Sequence, residues 1–489
     1  MIGDAPAIGW REISGFLFAT RWGVLWFLAA MPLVWIFEFV APRRWWLVFL
    51  SLLSLTFIAF TLMPWPIQGT ILAGAYPLQD LPGVVPLSWQ RRVVLGLLHV
   101  GILLTMLAGV YRLASKGRRS SDLRVSVLLL LLGFFGLLLI RVAVMQIAGG
   151  AYAIDAWILI PEFHEAGLAY VFVKSVIYVW DCQRGRIHNR SWWRFLSWIT
   201  FFPSFRVGPI ERFHDFHTQI LRCHRRWRPH DLVVGFARIL LGVLKCSLLL
   251  VILTRGAPWA SALWQQSGED LANVPYWFPW TVIWLLALGA YLALAGYSDI
   301  AIGLARLMGY RMVENFRGVL LSHNLIELWH RVHISMSSFL RDYCYYPLIR
   351  RGPFRRRPPR PAGAQPASRR EELKRLLIPS VNYHITFFLA GLWHSPSPLN
   401  ALIWGVCLGS GMTLVEVWHW YWGRRAAENG ALYRVLCRTG FAGGGAPGRV
   451  LGVVITMNFV SVTLLALFHP RAFVGITWEI IRRPIAGIF

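Results

Sequence analysis

Apolar runs of spanning length alternate with polar loops along most of this 489-residue chain. A helix needs about 20 mostly apolar residues to cross the hydrocarbon core of a bilayer. Runs of this kind fall near residues 22–41, 45–63, 93–113, 125–148, 164–181, 231–253, 276–297, 377–394, 400–422 and 450–468. The pattern predicts an all-α, polytopic integral membrane protein with about ten transmembrane helices.

Two further segments, 197–213 and 322–348, are too polar or too short to span. Residues 197–213 are aromatic, contain two prolines and turn near Gly208, which predicts a re-entrant or interfacial element. Residues 297–347 lie between apolar runs, yet they carry acids, arginines and histidines, with a Trp- and His-rich helix predicted over 322–348. Ionisable side chains at membrane depth are costly, and polar backbone is tolerated there only inside protein or beside a watery cavity. We therefore predict that 297–347 forms the wall of a site inside the membrane.

The charge pattern gives an orientation. The formal net charge of +26 would suit a nucleic-acid partner, but the basic residues cluster in loops between apolar runs. This is the positive-inside pattern, so we predict contact with membrane lipids and no nucleic acid. Loops 64–90, 149–163 and 255–275 are nearly free of basic residues, whereas the Pro- and Arg-rich loop 350–375 is strongly basic. The alternation predicts a flexible cytosolic loop at 350–375, with both chain ends outside the cytosol.

Histidines in the polar segment permit two interpretations. His323, Glu327 and His330 are spaced i, i+4 and i+7, as on one face of a helix, and His333 follows three residues later. They could be metal ligands or hydrogen-bonded structural histidines. The spacing matches no known metal motif, and the six cysteines form no C-x-x-C pair. The sequence therefore predicts no bound metal and no disulfide framework.

His394 and Asp299 each have a structural and a functional interpretation. His394 ends an apolar run just before Pro396. It is either a cation at a helix C-terminus, which the helix dipole favours, or a catalytic base. Asp299 either pairs with Arg306 or Arg311 or orients a site histidine, and we favour the ion pair.

Four short motifs follow one another between residues 201 and 405. They are Phe201-Phe202-Pro203 with Gly208-Pro209-Ile210, Tyr297-Ser298-Asp299 with Gly303 and Gly309, the segment 328–343 (LWHRVHISMSSFLRDY), and Gly391-Leu392-Trp393-His394 with Trp404-Gly405. Together they resemble the membrane-bound O-acyltransferase (MBOAT) family, in its bacterial branch that includes alginate O-acetylation and teichoic acid D-alanylation proteins. The resemblance covers roughly residues 160–410. Ser395 stands where the family usually has a glycine, and the first 150 residues resemble this branch less closely.

The resemblance implies an architecture and a site. The family's helices form a ring around a central tunnel, which an acyl thioester enters from the cytosol and an acceptor hydroxyl from the other side. His394 matches the family's catalytic histidine and His333 its second active-site histidine. We expect His394 to act as general base, and His333 or a backbone N–H to stabilise the oxyanion. Candidates for the tunnel wall are Trp329, His330, Arg341, Asp342, Asp299, Trp393 and Ser395.

The chain is accordingly predicted to divide into three parts. Residues 1–150 form N-terminal transmembrane helices, 151–422 the MBOAT catalytic core with its loop 350–375, and 423–489 a C-terminal loop and transmembrane helix.

The predicted function is transfer of an acyl group, acetyl in the first place, from a cytosolic thioester in a bacterial inner membrane. The donor is acetyl-CoA or an acyl carrier protein, and no cofactor is permanently bound. The acceptor is a hydroxyl of a cell-surface polysaccharide or of an exported partner protein. Two alternatives stay open: aminoacyl or longer-chain acyl transfer to a lipid, glycan or protein, and a non-catalytic transporter that uses the same tunnel.

Overall fold

The computed structural model describes residues 21–40, 42–62, 89–116, 167–205, 207–223, 228–265, 275, 277–351, 369–394, 398–428, 431–440 and 445–468. Every regular element within these ranges is helical, which confirms the helical class for the part described. The chain forms two compact units, one made of residues 1–241 and 297–313, the other of 242–296 and 314–489. The predicted division into three parts is not tested by these units and stays a prediction.

The described part of the first unit begins with six helices. They are α1 (Arg21–Val40), α2 (Arg43–Leu62), α3 (Trp89–Lys116), α4 (Leu168–Gln183), α5 (Trp192–Ile199) and α6 (Phe213–Cys223). Helix α7 (Pro229–Gln265) and helix α8 (Trp277–Leu307) each contain a boundary between the units. Between α5 and α6 the chain forms the 3-10 helix Phe202–Ser204, and the other described residues of this stretch have no regular structure. The described part of segment 197–213 is therefore not one continuous helix, and its re-entrant or interfacial position stays a prediction.

Glu211 binds the polar segment that follows α8. Its carboxylate accepts hydrogen bonds from the Tyr310 hydroxyl at 2.8 Å and the Val313 N–H at 2.7 Å. Glu211 is buried, and burial raises the pKa of its carboxyl group. The structure gives Glu211 a structural role through Tyr310 and Val313.

Asp299 lies in an ion pair, but its partner differs from the expected ones. Arg238 of α7 donates to Asp299 of α8 at 2.7 Å. Arg306 and Arg311 instead approach Asp231, at 3.3 and 3.6 Å. The prediction named Arg306 or Arg311 because they follow Asp299 in sequence. It missed Arg238 because the crossing of α7 over α8 is a tertiary feature.

The second unit contains the other helices of the described chain. They are α9 (Leu325–Arg331), α10 (Ile334–Phe339), α11 (Tyr346–Arg351), α12 (Arg369–His394), α13 (Pro398–Glu428), α14 (Ala431–Arg438) and α15 (Ala446–Phe468). A π-helical turn, Leu340–Tyr345, joins α10 to α11. The single helix predicted over 322–348 is therefore wrong: it is interrupted at Val332 and His333, and the chain is continuously helical from Ile334 to Arg351.

Helices α12 and α13 form a close antiparallel pair. A Cβ atom on Gly405 would lie 2.7 Å from the backbone nitrogen of Phe388, and one on Gly391 would lie 2.8 Å from the Cα of Ala401. Polar side chains also pair across the contact: Ser380 with Thr413 at 2.6 Å, and Tyr383 with Glu416 at 3.0 Å. Small residues let helix backbones approach in this way, and side-chain hydrogen bonds add to the contact inside a membrane.

Four helices of the described chain are long and apolar enough to cross a membrane. The spans are Pro229–Leu249, Trp277–Leu307, Pro398–Trp422 and Ala446–Leu467. Four more predicted runs also coincide with helices, in α1, α2, α3 and α12, and α4 falls on the run at 164–181. The run at 125–148 lies outside the described residues. The structure thus supports a helical membrane protein, and the count of ten spans stays a prediction.

Candidate active site

Helix α9 begins at a cap that explains the position of His323. The Asn324 side chain accepts the Glu327 N–H at 2.8 Å, so the helix starts at Leu325 and His323 precedes it. Glu327 in turn accepts the backbone N–H of His323 at 2.9 Å, much as in a capping box. The predicted common helix face of His323, Glu327 and His330 is therefore wrong, because the cap places His323 outside the helix.

Both oxygens of Glu327 are engaged. One accepts from His323 and the other pairs with Arg331, one turn along α9. His330 is exposed. Within the described residues, no group of three or more histidine, cysteine, aspartate or glutamate side chains is placed to hold a metal ion. A metal at Glu327 would have to displace the Arg331 guanidinium.

The chain breaks at His333. Its backbone has φ 42° and ψ 51°, and it is the one non-glycine residue with positive φ in the described chain. Asn315 holds the break in place: its carbonyl accepts the Ile334 N–H at 2.9 Å, and its side-chain oxygen accepts the Ser335 hydroxyl at 2.9 Å. The Ser335 N–H points to the same oxygen at 3.2 Å. These contacts offset the cost of a left-handed residue, about 1–2 kcal/mol.

The His333 side chain is buried against Phe316, with ring centroids 6.1 Å apart. Burial lowers its pKa to about 4, so the ring is neutral near pH 7. A neutral imidazole has one N–H donor and one acceptor nitrogen. This state suits the predicted role as donor to an oxyanion, and that role stays a prediction.

The contact of α12 with α13 positions His394. His394 is the last residue of α12, and its ring meets Trp404 of α13 edge-on at 6.0 Å and 73°. Trp404 also lies 6.1 Å from Phe387 and 6.5 Å from Trp329 of α9, and Trp329 lies 4.8 Å from Phe387. The His394 side chain is exposed, whereas Trp404 is buried. Two residues predicted for the site, His394 and Trp329, therefore contact one buried tryptophan.

The other predicted tunnel residues fall in different places. Arg341 and Asp342 lie in the π-helical turn and pair with each other at 3.0 Å. Such turns are frequent at functional sites. Trp393 is half-buried on α12, and Ser395 lies outside the described residues. Asp299 belongs to the first unit, where it is bound to Arg238.

Two residues of this region were not singled out by the sequence. Trp404 appeared only as part of a motif, and its contact with His394 depends on the glycines that bring α12 and α13 together. Asn315 has no sequence signal of its own. A buried asparagine whose amide holds a turn is recognised only when its partners are placed.

The chain is similar to curated bacterial proteins whose names describe acyl transfer. It is 29% identical over 308 residues to "probable alginate O-acetylase" of Pseudomonas syringae pv. tomato, covering 61% of this chain and 50% of that protein. It is 26% identical to the protein of that name from Azotobacter vinelandii, covering 67% and 60%. It is 24% identical to "teichoic acid D-alanyltransferase" of Bacillus subtilis, covering 49% and 56%.

These relatives are members of the MBOAT family, which confirms the resemblance predicted from the motifs. The match spans between a half and about 60% of the length of these relatives. No family model matches the chain.

Proposed function

We propose that this chain is a membrane O-acyltransferase that moves an acyl group from a thioester to a hydroxyl. The similarity to proteins named O-acetylase and D-alanyltransferase carries the proposal. The site supports it, because His394 lies at the end of α12 against a buried aromatic cluster. Acetyl is the first choice of acyl group, since identity reaches 29% with an O-acetylase and 24% with a D-alanyltransferase.

The reaction needs a general base and a hydrogen-bond donor to the oxyanion. In the proposed reaction the neutral ring of His394 takes the proton of the acceptor hydroxyl as its oxygen attacks the thioester carbon, a contribution of about 10²–10⁴-fold. The carbonyl becomes a tetrahedral oxyanion, which needs hydrogen-bond donors. The intermediate collapses, the carbon–sulfur bond breaks, and the thiolate takes the proton back from the imidazolium. The products are an ester and a free thiol.

The wider proposal concerns the setting of the reaction. The donor is acetyl-CoA or an acyl carrier protein on the cytosolic side, and no cofactor is permanently bound. The acceptor is a hydroxyl of a cell-surface polysaccharide or of an exported partner protein. Ten spans in a ring around a tunnel, in a bacterial inner membrane, would bring the two together while excluding water that hydrolyses thioesters.

A second candidate is aminoacyl transfer. The observation that favours it is the similarity to teichoic acid D-alanyltransferases, which extends to relatives in Streptococcus thermophilus and Lacticaseibacillus rhamnosus at 24% identity. The same base and the same oxyanion donors would serve, because an aminoacyl thioester presents the same carbonyl. Supplying acetyl and D-alanyl thioesters to one preparation would separate the two candidates.

The test is thioester turnover by the purified protein in detergent. His394→Ala should lower the rate of thiol release and transfer by about 10²-fold or more while the protein stays folded. His394→Gln keeps a hydrogen-bonding side chain but no base, so it should be nearly as inactive. His419→Ala is the matched control, because His419 is exposed on α13 and outside the predicted site. Near-normal transfer by His394→Ala would overturn the proposal at its central residue, and a folded wild type without turnover would favour the transporter.

Further variants test whether the other histidines have catalytic or structural roles. His333→Ala should also be severe, and adding it to His394→Ala should cost little more, because residues that act as one unit are not additive. His323→Ala with His330→Ala should be mild, since Glu327 keeps its pairing with Arg331. Loss of activity in that double variant would instead move the site to α9.

A further inference from the structure

Two indole N–H groups beside His394 are buried, and within the described chain they have no hydrogen-bond partner. They are the Nε1 atoms of Trp404 and Trp329. More than 90% of buried polar groups in proteins find a partner. Leaving a buried donor unsatisfied destabilises the folded state, because the group loses its hydrogen bonds to water and gains none in return. Two such groups in adjacent rings therefore require an explanation.

Their surroundings restrict what they can bind. Trp404 is 5% exposed, and its ring contacts His394, Phe387 and Trp329. An indole nitrogen is a donor only, so its partner must be an acceptor such as a carbonyl oxygen. The aromatic neighbours give a low local dielectric, in which a hydrogen bond to a developing negative charge is strongest.

We propose that the Trp404 N–H, assisted by the Trp329 N–H, donates a hydrogen bond to the carbonyl oxygen of the acyl thioester. This inference rests on the proposed function and names the group that recognises its acyl donor. As the acceptor oxygen bonds to the carbonyl carbon, His394 takes the hydroxyl proton and the carbonyl π electrons move onto the oxygen that Trp404 holds. When the carbon–sulfur bond breaks, those electrons return and the thiolate takes the proton from His394.

The proposal explains why a tryptophan is present where packing needs only a ring. A phenylalanine at 404 would keep the edge contact with His394 and the neighbours on α12, and would bury no unpaired donor. The structure instead keeps two indoles whose N–H groups weaken the folded state. This is the pattern expected of donors that gain their partner when a substrate binds.

The experiment compares three phenylalanine variants. Trp404→Phe should lower kcat for acetyl transfer by about 10²-fold, the size found for removing one oxyanion donor, and should weaken thioester binding by a smaller factor. Trp329→Phe should have the same direction. The matched control is Trp422→Phe: it removes another buried, unpartnered indole N–H, about 27 Å further along α13. It should keep the wild-type kcat.

Thermal stability separates the proposed role from a structural one. Removing an unsatisfied donor is neutral or stabilising, but the smaller phenylalanine ring leaves a cavity, so Trp404→Phe should melt close to the temperature of the matched Trp422→Phe variant while only its turnover falls. A lower melting temperature accompanied by a parallel loss of active protein would show a packing role and overturn the inference. So would a kcat for Trp404→Phe equal to that of Trp422→Phe.

A binding measurement keeps the inference testable without turnover. S-acetonylpantetheine carries a carbonyl, S-propylpantetheine lacks it, and the pantetheine arm is common to coenzyme A and carrier proteins. Wild type should bind the ketone more tightly, and Trp404→Phe should lose that preference. If this holds while the wild type shows no acyl transfer, the carbonyl site stands and the proposed function fails. Equal binding of both analogues by the wild type would overturn the carbonyl site even if acyl transfer is present.

Discussion

At the scale of single residues, His333 combines a buried neutral ring with a left-handed backbone. A side chain in that conformation raises the energy of the folded state, and such residues cluster at functional sites. The cost is offset by Asn315, whose carbonyl and side chain accept hydrogen bonds from the two residues that follow His333. The position of the imidazole is therefore set by the backbone as well as by its packing against Phe316.

The backbone at His333 predicts that glycine is more stable than alanine there, the reverse of their order in a helix. His333→Gly should be more stable than His333→Ala, by about 1 kcal/mol, because glycine adopts positive φ without a steric penalty. At His330, in α9, the order should reverse, since alanine favours a helix over glycine by about 1 kcal/mol. The measurement is thermal unfolding of the four variants in detergent. The same order at both positions would mean that His333 is not left-handed in solution.

The sequence predicted some residues of the site and missed others. Matched motifs selected His394 and Trp329, and the structure places both against Trp404. The break at His333 was missed because residues 325–339 contain no glycine or proline that would mark it. Asn315 acts only through partners that the fold brings to it, and the partner of Asp299 came from another helix.

At the scale of elements, the pair formed by α12 and α13 determines the geometry around His394. Gly391, Gly405 and Gly409 each lie where a Cβ atom would meet the neighbouring helix at less than 3.0 Å. The apolar runs predicted both helices, but not how closely they approach. That distance depends on which faces meet, and hydropathy carries no such information.

A substitution at Gly405 tests this contact. Gly405→Ala puts a methyl group 2.7 Å from the backbone of Phe388, which cannot move aside as a flexible side chain would. Overpacking of this kind costs about 1–3 kcal/mol, so we expect lower thermal stability and reduced turnover as His394 shifts relative to Trp404. Gly101→Ala in α3 is the control, because a Cβ there meets nothing within 4 Å. It should be neutral or slightly stabilising. If Gly405→Ala melts and turns over like the wild type, the two helices are further apart than the structure places them.

At the scale of the whole molecule, composition and hydropathy predicted a helical membrane protein, and the structure supports that class. Hydropathy was weaker at counting spans. It scores apolar content along the chain, so a lipid-facing helix and a helix buried in protein look alike. Four spans are found in the described residues, and a further predicted run, 125–148, lies outside them. Charge, in contrast, acts in the loops and predicts the direction of each span.

The last prediction concerns that direction. Loop 350–375 carries many arginines and loop 255–275 nearly none, so the first should be cytosolic and the second external. Single cysteines at Gln365 and Gly268, on a background with the six native cysteines replaced, can be treated with an impermeant thiol reagent in intact cells. Gly268→Cys should be labelled, and Gln365→Cys only after the membrane is permeabilised. Helix α12 begins at Arg369, inside the segment predicted as the basic loop, so this orientation has the helix run from the cytosol towards His394 at its far end. A thioester that enters from the cytosol would then have to pass through the protein to reach His394, which requires a tunnel. Labelling of Gln365→Cys in intact cells would reverse the orientation and place the donor's entry on the opposite side.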